Sequence, residues 1–336
     1  MRFHRNLVTL SVFLCVSFWA GQTARASCQP VNLRLALNPG GQPDVTISGS
    51  ICVAASSNNT VQVLVHGATY GRNYWDFPFQ PEIYSYVRFL NAIGMSSFNF
   101  DRLGSGQSSH PQSDAVTLDS NAFIIHQIVQ GLRDGTIGGH RFQKVVLVGH
   151  SFGSVISIVE AARYHDVDGV VLTSLLHRFD PTPFQVYPAA QDPRFAGAGL
   201  DPGYLTTIPG TRGQVFYYQP TADPRVIQLD ESTKETLTGA EFNTVIGEVI
   251  SGVLARQINV PILLLVGRRD RLFCVPGASD CSSSATILAA EAPFYTSAPS
   301  LQAVVVPSTG HDLTLHYTSL ATLGAKAAWV LQTFGF

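Results

Sequence analysis

The feature of this sequence that most constrains its fold is the regular alternation of short apolar runs with longer segments of helical periodicity. Most of the apolar runs are rich in β-branched residues, as expected for strands that are buried on both faces of a sheet. The expected strands cover residues 61–65, 96–100, 144–148, 169–173, 261–266 and 301–306, and the expected helices cover residues 82–92, 115–132, 151–163 and 313–333. This alternation predicts an α/β fold with a mostly parallel sheet flanked by helices.

One segment interrupts the alternation and is far too long for an ordinary connection between two strands. Its first part is rich in Pro, Gly and aromatic residues, and its last part predicts an amphipathic helix over residues 241–254. Thr238 and Glu241 have the spacing of a capping box at the start of that helix. The expected organisation is a core of residues 27–176 and 258–336, with residues 177–257 inserted as a cap over the functional site. A structural subdomain without substrate contact is the alternative.

The first 26 residues have the pattern of a secretory signal peptide. Arg2 and Arg5 make the start basic, residues 7–20 are apolar, and residues 24–26 form an Ala-Arg-Ala cleavage site. The apolar run is shorter than the roughly 20 residues that cross a bilayer, so we expect no stable membrane anchor. The expected location of the protein is therefore extracellular or periplasmic, and an uncleaved anchor is the alternative.

Four cysteines follow the expected signal peptide, an even number that suits an oxidising compartment. Cys28 begins and Cys52 ends two expected strands, and an antiparallel hairpin within residues 27–56 would bring them together. Cys274 and Cys281 bracket a short loop rich in Pro, Gly and Ser. Although four cysteines allow three pairings, we predict the disulfides Cys28–Cys52 and Cys274–Cys281. Free thiols or a metal site are the alternatives.

The pentapeptide Gly-His-Ser-Phe-Gly at residues 149–153 lies between an expected strand and an expected helix. A serine on such a tight turn is forced into a strained backbone conformation, and the two glycines let neighbouring segments approach closely. The helix N-terminus behind the serine favours negative charge that develops there. We therefore predict that Ser151 is a nucleophile, and a role as a simple helix cap is the alternative.

An alcohol is a poor nucleophile at neutral pH and needs a base, which in turn needs an orienting carboxylate. His311, in a polar loop after the last strand, is the predicted base, and His316 is the competing histidine. Asp270, which follows the strand at residues 261–266, is the predicted acid, and Asp180 is the second choice. A salt bridge with a neighbouring arginine is the alternative role of Asp270. The order serine, aspartate, histidine matches hydrolases with this strand–turn–helix motif.

The reaction also builds an oxyanion, which needs preset hydrogen-bond donors. The first expected donor is the backbone N–H of Phe152, directly after the nucleophile. The second should come from the loop after the strand at residues 61–65, where Ala68 is our first choice and Thr69 the second. A turn that merely ends the strand is the alternative interpretation of that loop.

Together these residues resemble the capped α/β-hydrolases, a group that includes esterases, lipases, proline iminopeptidases and epoxide hydrolases. The matching motifs, in family order, are His66-Gly67, Asp-Arg-Leu-Gly-Ser-Gly at residues 101–106, the pentapeptide at residues 149–153, Asp270 and Gly310-His311. The resemblance covers roughly residues 60–335 and implies the α/β-hydrolase fold, while saying much less about the substrate. The serine in the pentapeptide argues against epoxide hydrolase and haloalkane dehalogenase activities, which use an aspartate there. The N-terminal hairpin is interpreted as an addition to this fold.

The leading prediction is a secreted serine hydrolase that cleaves a carboxylic ester of a small molecule. An aminopeptidase or amidase with the same triad is one alternative, and a hydrolase-fold protein that only binds a ligand is another. The acidic residues of the inserted segment that could hold a substrate amine are Asp180, Asp192, Asp201, Asp223, Asp230 and Glu231. The acyl and leaving groups and the oligomeric state stay open.

Charge and composition exclude further classes of function. The formal net charge is −2 and 13% of the residues are charged, so no surface for nucleic acid and no polybasic membrane patch are expected. No group of Cys and His residues has the spacing of metal ligands, so we expect neither a metal nor another cofactor. Asn58 begins a glycosylation sequon, and whether it is used depends on the source organism.

Overall fold

The computed structural model describes residues 27–54 and 59–335, apart from the side chains of residues 27, 243–246 and 248. The expected signal peptide and the sequon at Asn58 therefore lie outside the described residues. The described strands are β1 (Ser27–Ala36), β2 (Pro43–Val53), β3 (Thr60–Val65), β4 (Ser96–Phe100), β5 (Lys144–His150), β6 (Gly169–Thr173), β7 (Val186–Pro188), β8 (Tyr204–Thr207), β9 (Leu237–Thr238), β10 (Ile262–Gly267) and β11 (Leu301–Val306). The described α-helices are α1 (Pro81–Tyr84), α2 (Tyr86–Ala92), α3 (Leu118–Asp134), α4 (Phe152–Tyr164), α5 (Arg212–Val215), α6 (Pro224–Ser232), α7 (Gly239–Glu248), α8 (Ser284–Glu291) and α9 (Ser319–Phe334).

Within the described residues, eight strands form one sheet in the order β1-β2-β4-β3-β5-β6-β10-β11. All pairings from β4 to β11 are parallel, and the pairings of β1 with β2 and of β2 with β4 are antiparallel. Every residue of β3, β6 and β10 is buried, which requires that both faces of the sheet are covered. The prediction of a mostly parallel sheet in an α/β fold is confirmed.

The N-terminal hairpin is the edge of this sheet and not an addition to it. β1 pairs with β2 along its length, and β2 continues into β4 with Gly49 opposite Phe100. A side chain at residue 49 would come within 2.8 Å of the carbonyl oxygen of Asn99, so glycine permits this close pairing. The sequence analysis missed this role because β2 and β4 are separated by more than 40 residues and no local pattern reports their pairing.

The cysteines pair in the structure as the sequence analysis predicted. Cys28 lies directly opposite Cys52 in the hairpin and is bonded to it, and Cys274 is bonded to Cys281 across a short loop. Two disulfides are typical of proteins that fold in an oxidising, non-cytoplasmic compartment. Among the described residues, no helix is both long and apolar enough to span a membrane.

Several predicted helices have different bounds in the structure. The helices expected to begin at residues 115 and 313 begin at Leu118 and Ser319, and two others are divided or end early. The segment expected to be one helix over residues 82–92 is divided at Ser85, whose side chain accepts a hydrogen bond from Arg88 N–H and caps α2. The helix expected over residues 241–254 keeps its predicted capping box but ends at Glu248. The chain then turns at Gly252, where φ is +69° and where a side chain would meet the ring of Phe294. A cap within the segment therefore divides the first helix, and close packing against Phe294 accompanies the early end of the second.

Residues 177–257, which the sequence predicts to be inserted and which we call the inserted segment, contain a small antiparallel sheet of β7, β8 and β9. A buried ion pair fastens it to the core, with Arg102 Nη1 lying 2.6 Å from Glu241 Oε1. Asn121 Nδ2 donates to the same carboxylate at 2.8 Å. Arg102 belongs to the Asp-Arg-Leu-Gly-Ser-Gly motif, so that motif anchors the inserted segment on the sheet.

Candidate active site

Ser151 stands on a sharp turn between β5 and α4. Its backbone has φ +52° and ψ −117°, a conformation that non-glycine residues rarely adopt. The flanking glycines are required because a Cβ at Gly149 would lie 2.5 Å from Ser154 Cα, and one at Gly153 would lie 2.2 Å from the carbonyl oxygen of Val65. The strained turn expected from the pentapeptide is therefore present, and the Ser151 side chain caps no helix N–H.

Asp270 and His311 are brought together from the ends of β10 and β11. His311 Nδ1 lies 2.8 Å from Asp270 Oδ2, and both side chains are buried. Asp270 Oδ1 accepts hydrogen bonds from the N–H groups of Leu272 at 2.9 Å and Phe273 at 3.3 Å, which fix the carboxylate plane. In the described part of the chain Asp270 makes no ion pair with an arginine. The geometry is that of an acid orienting an imidazole.

The end of β6 ties the turn at Ser151 to the loop that carries His311. Ser151 N–H donates to the carbonyl oxygen of Thr173 at 2.8 Å, and the hydroxyl of the next residue, Ser174, donates to the carbonyl oxygen of His311 at 2.6 Å. The described residues show no hydrogen bond between the Ser151 hydroxyl and the His311 ring. In unliganded active sites such bonds are often long and shorten when substrate binds.

The two expected oxyanion donors lie beside the turn. The N–H groups of Phe152 and Ala68 donate to no other described residue. Gly67 brings the Ala68 loop close, because a Cβ at Gly67 would lie only 3.3 Å from Ser151 Cβ. Thr69, the second choice for a donor, has φ +59°, and its hydroxyl accepts a hydrogen bond from Arg212. The arrangement leaves both predicted N–H groups available to an oxyanion.

A family model described as the alpha/beta hydrolase family matches residues 62–322, which include Ser151, Asp270 and His311. The chain belongs to this family. The family resemblance stated from the sequence motifs is thereby confirmed. A comparison with curated protein sequences finds no match for this α/β hydrolase.

Solved structures that this α/β hydrolase resembles include enzymes of several substrate classes. A thermophilic esterase from Thermogutta terrifontis is 17% identical with a TM-score of 0.60, over 91% of this chain and 99% of that one. A monoacylglycerol lipase from Paleococcus ferrophilus is 19% identical with a TM-score of 0.55, over 81% and 94%. An E-2-(acetamidomethylene)succinate hydrolase is 17% identical with a TM-score of 0.53, over 90% and 99%. At these identities the likeness shows the fold alone.

The surroundings of His311 shift its proton affinity. Burial lowers the pKa of the imidazole, but the negative charge of Asp270, the hydrogen bond to it and the negative charge of Asp312 outweigh burial, so the pKa lies above the usual histidine value. The rings of Phe216 and Phe273 stack near the imidazole, with centroids 5.4 and 5.9 Å away. The protonated form of the His311 imidazole is therefore favoured by Asp270 in a largely apolar setting.

The competing candidates have other roles in the structure. His316 Nδ1 donates to the carbonyl oxygen of Asp312 at 2.7 Å, and its Nε2 accepts from the N–H groups of Tyr218 and Gly310. This histidine therefore fastens the His311 loop to the inserted segment. Asp180 lies in a turn where its Oδ1 accepts from the N–H and hydroxyl of Thr182, and these bonds lower its pKa. Among the described residues, neither side chain hydrogen-bonds to His311 or Asp270.

A cavity of about 160 Å³ opens onto Ser151 between the core and the inserted segment. Its lining residues are Ala68, Tyr70, Ser151, Phe152, Val155, Leu175, Leu176, His177, Phe179, Pro181, Phe184, Phe216, Phe242, Val249, Ile250, Leu272 and Phe273. Most of these side chains are aliphatic or aromatic. Such a lining suits an apolar substrate group held beside the serine hydroxyl.

Two buried pairs beside the cavity were not found by sequence reasoning. Arg212 donates to both carboxylate oxygens of Asp230, at 2.9 and 2.8 Å, and its Nη1 donates to Thr69 Oγ1 at 2.8 Å. His177 Nδ1 lies 2.6 Å from Glu291 Oε2. Arg212 and Thr69 are 143 positions apart, so no local pattern could have joined them. The first pair links the inserted segment to the loop that carries Ala68.

Proposed function

We propose that this α/β hydrolase is a secreted serine hydrolase that cleaves carboxylic esters of small molecules with an apolar acyl group. The observation that carries the proposal is the convergence of three features. Ser151 on its strained turn opens into an apolar cavity, His311 is oriented by Asp270, and the N–H groups of Phe152 and Ala68 lie free beside the serine.

The proposed chemistry assigns one role to each group. As Ser151 Oγ attacks the ester carbonyl carbon, its proton passes to His311 Nε2, while Asp270 stabilises the imidazolium. The N–H groups of Phe152 and Ala68 hold the oxyanion of the tetrahedral intermediate. The carbon–oxygen bond then breaks, and the alcohol leaves with the proton from His311. Water adds to the acyl-enzyme by the same route, the acid is released, and Ser151 regains its proton.

The acidic residues of the inserted segment favour an ester over a peptide with a free amine. Each of the six acidic residues named in the sequence analysis has a partner elsewhere in the chain. The pairs are Asp180–Thr182, Asp192–Lys234, Asp201–Ser113, Asp223–Arg225, Asp230–Arg212 and Glu231–Lys234. None of these six acids lines the cavity. An ammonium group placed there would lose its hydration without gaining a counter-charge, which is strongly unfavourable.

Secretion is the other part of the proposal. The sequence of residues 1–26 has the pattern of a signal peptide, and the two disulfides suit an oxidising compartment. N-terminal sequencing of the exported protein should give Ser27 as its first residue. Recovery of a cell-associated protein that retains residues 1–26 would contradict cleavage.

A fluorophosphonate probe tests the nucleophile. The wild-type protein should be labelled once, on the peptide that contains Ser151, and Ser151→Ala should not be labelled. The same substitution should lower p-nitrophenyl acetate turnover by on the order of 10⁶, with an unchanged circular dichroism spectrum. Ser154→Ala is the matched control, because Ser154 lies on α4 and its hydroxyl donates to Thr173 O instead of facing substrate.

The same panel separates the competing functions. Aminoacyl anilides should be turned over far more slowly than p-nitrophenyl esters of the same acyl size. Faster turnover of the anilides would identify an aminopeptidase or amidase. Failure of both labelling and turnover in a folded, monodisperse protein would indicate a binding protein that has lost catalysis.

A further inference from the structure

A second cluster of ionisable side chains lies outside the cavity, at the far end of the helix that begins after Ser151. It consists of His126 on α3, Glu160 on α4 and Asp166 in the connection from α4 to β6. The ligand-capable atoms of these three residues all lie within 4.8 Å of one another. Their spacing in the sequence matches no metal motif, so the sequence analysis could not find them.

Glu160 is the member of the cluster whose charge lacks a partner in the described structure. Its side chain is fully buried, and neither carboxylate oxygen has a hydrogen-bond partner in the described structure. Asp166 Oδ1 is likewise buried and without a partner. Burial, the nearby negative charge of Asp166 and the close approach of the two carboxyl groups raise the pKa of Glu160 well above its usual value. A fully buried carboxylate beside a second, partly exposed one needs a compensating cation or a shared proton.

The nearby cationic side chain, Arg133, is hydrogen-bonded to groups other than the Glu160 carboxylate. Arg133 donates from Nε and Nη2 to the carbonyl oxygen of Asp166, from Nη2 to the carboxylate of Asp168, and from Nη1 to the carbonyl oxygen of Gln143. It makes no ion pair with Glu160 among the described residues. The charge of Glu160 is therefore left without a direct protein counter-ion.

The other two members of the cluster are oriented by their neighbours. The His126 ring stacks on Tyr164 with centroids 4.2 Å apart, and its Nδ1 lies 2.7 Å from Asp166 Oδ2. Gln130 Nε2 donates to that same oxygen at 2.7 Å. The contacts from Tyr164 and Gln130, which lie outside the cluster, are of the kind that orients metal ligands. The side chains of His126 and Asp166 are 26% and 14% exposed, which gives an ion a route from solvent.

We propose that His126, Glu160 and Asp166 form a binding site for a divalent transition-metal ion. One imidazole nitrogen and two carboxylates suit Zn²⁺ or Mn²⁺ better than Ca²⁺ or Mg²⁺, which prefer oxygen ligands alone. Ligands at about 2.0–2.2 Å from Zn²⁺ lie about 3.5 Å apart in a tetrahedron, a spread compatible with this cluster. Water supplies the remaining coordination position. The bound ion joins α3, the last turns of α4 and the segment before β6, so it acts as a structural clamp outside the catalytic centre.

To test the proposal, bound metal is first removed with a chelator, and the Tm is then measured with and without added Zn²⁺ or Mn²⁺. At a metal concentration near 100 times the dissociation constant, the wild-type Tm should rise by roughly 5 °C. Glu160→Gln keeps the shape of the side chain but removes the charge, and it should abolish the rise. His165→Gln is the matched control, because His165 is exposed and adjacent to Asp166, and it should behave as the wild type does.

Calorimetry and Co²⁺ spectra give readouts that do not depend on Tm. The wild type should bind one ion per chain, with Co²⁺ absorption bands that are absent in Glu160→Gln, and both Glu160→Gln and His126→Gln should weaken binding at least tenfold. His126→Gln keeps the test decisive if Glu160→Gln does not fold, since His126 is partly exposed. Equal Tm shifts in the wild type and both variants would overturn the proposal. The proposal would also be overturned if metal did not change the wild-type Tm and that Tm were lower than the Tm of Glu160→Gln. Glu160 would then be a neutral acid hydrogen-bonded to Asp166.

Discussion

The proposed role of Asp270 leads to a specific expectation for the variant Asp270→Asn. The N–H groups of Leu272 and Phe273 both point at Oδ1, so the amide oxygen of the asparagine must occupy that position. Its NH₂ group then faces His311 Nδ1, where the carboxylate oxygen lies at 2.8 Å in the wild type. An NH₂ donor at this place forces the proton of the neutral imidazole onto Nε2. The ring nitrogen that should accept the Ser151 proton is thereby blocked.

The expected loss follows from this change of tautomer. In other triads the same substitution lowers kcat by about 10⁴, which corresponds to about 5 kcal/mol of transition-state stabilisation. We expect a similar loss of p-nitrophenyl acetate turnover and an equal slowing of fluorophosphonate labelling, because both reactions need the base. Asp180→Asn is the matched control and should change neither rate by more than about twofold.

The pH profile adds a second readout for the same variant. Asp270 contributes most to raising the His311 pKa, with Asp312 as a smaller contributor, so any residual activity of Asp270→Asn should have its acid limb at lower pH. A folded Asp270→Asn protein that keeps more than a tenth of the wild-type turnover would refute the assignment of Asp270.

Three further expectations concern the inserted segment and the base. Val249→Trp, which alters a buried cavity residue, should lower octanoyl-ester turnover about tenfold more than acetyl-ester turnover, whereas Val253→Trp at an exposed position should alter neither. The acid limb of kcat/KM in the wild type should lie above pH 6.5, because the neutral form of His311 is lost as the pH falls through its raised pKa. Arg212→Met leaves the buried Asp230 carboxylate unpaired and should destabilise the fold by about 3–5 kcal/mol in urea unfolding, while Arg225→Met, which removes an exposed side chain paired with Asp223, should change the midpoint far less.

The sequence predicts the turn at Ser151 well because its determinants are local. A buried strand, two glycines and a helix follow one another within about 20 residues, and together they predict a tight turn at Ser151. The pairing of Asp270 with His311 could also be anticipated, because both follow strands of a parallel sheet whose carboxyl ends share one edge. The roles of these residues in catalysis remain predictions until the variants are measured.

Contacts between distant segments could not be predicted. At the division of the expected helix, Tyr86 N–H donates to the carbonyl oxygen of Trp75, and the turn at Gly252 that follows α7 packs against Phe294. Likewise, Arg212 is an ordinary charged residue in the sequence, and only the folded structure places it against Asp230 and Thr69. Periodicity and propensity carry no information about such partners.

The pairing of charges in the inserted segment has a consequence for the proposed chemistry. Its acidic side chains are neutralised by cations or held by hydrogen bonds away from the cavity, and the cavity itself is lined mostly by apolar groups. The carboxylate that acts most directly on the reacting atoms is then Asp270, through His311. Because electrostatic interactions are stronger where water is excluded, this one charge and the N–H groups of Phe152 and Ala68 can act on the transition state with little competition. The inserted segment would thus favour neutral, apolar substrates both by its shape and by keeping its own charges out of the cavity.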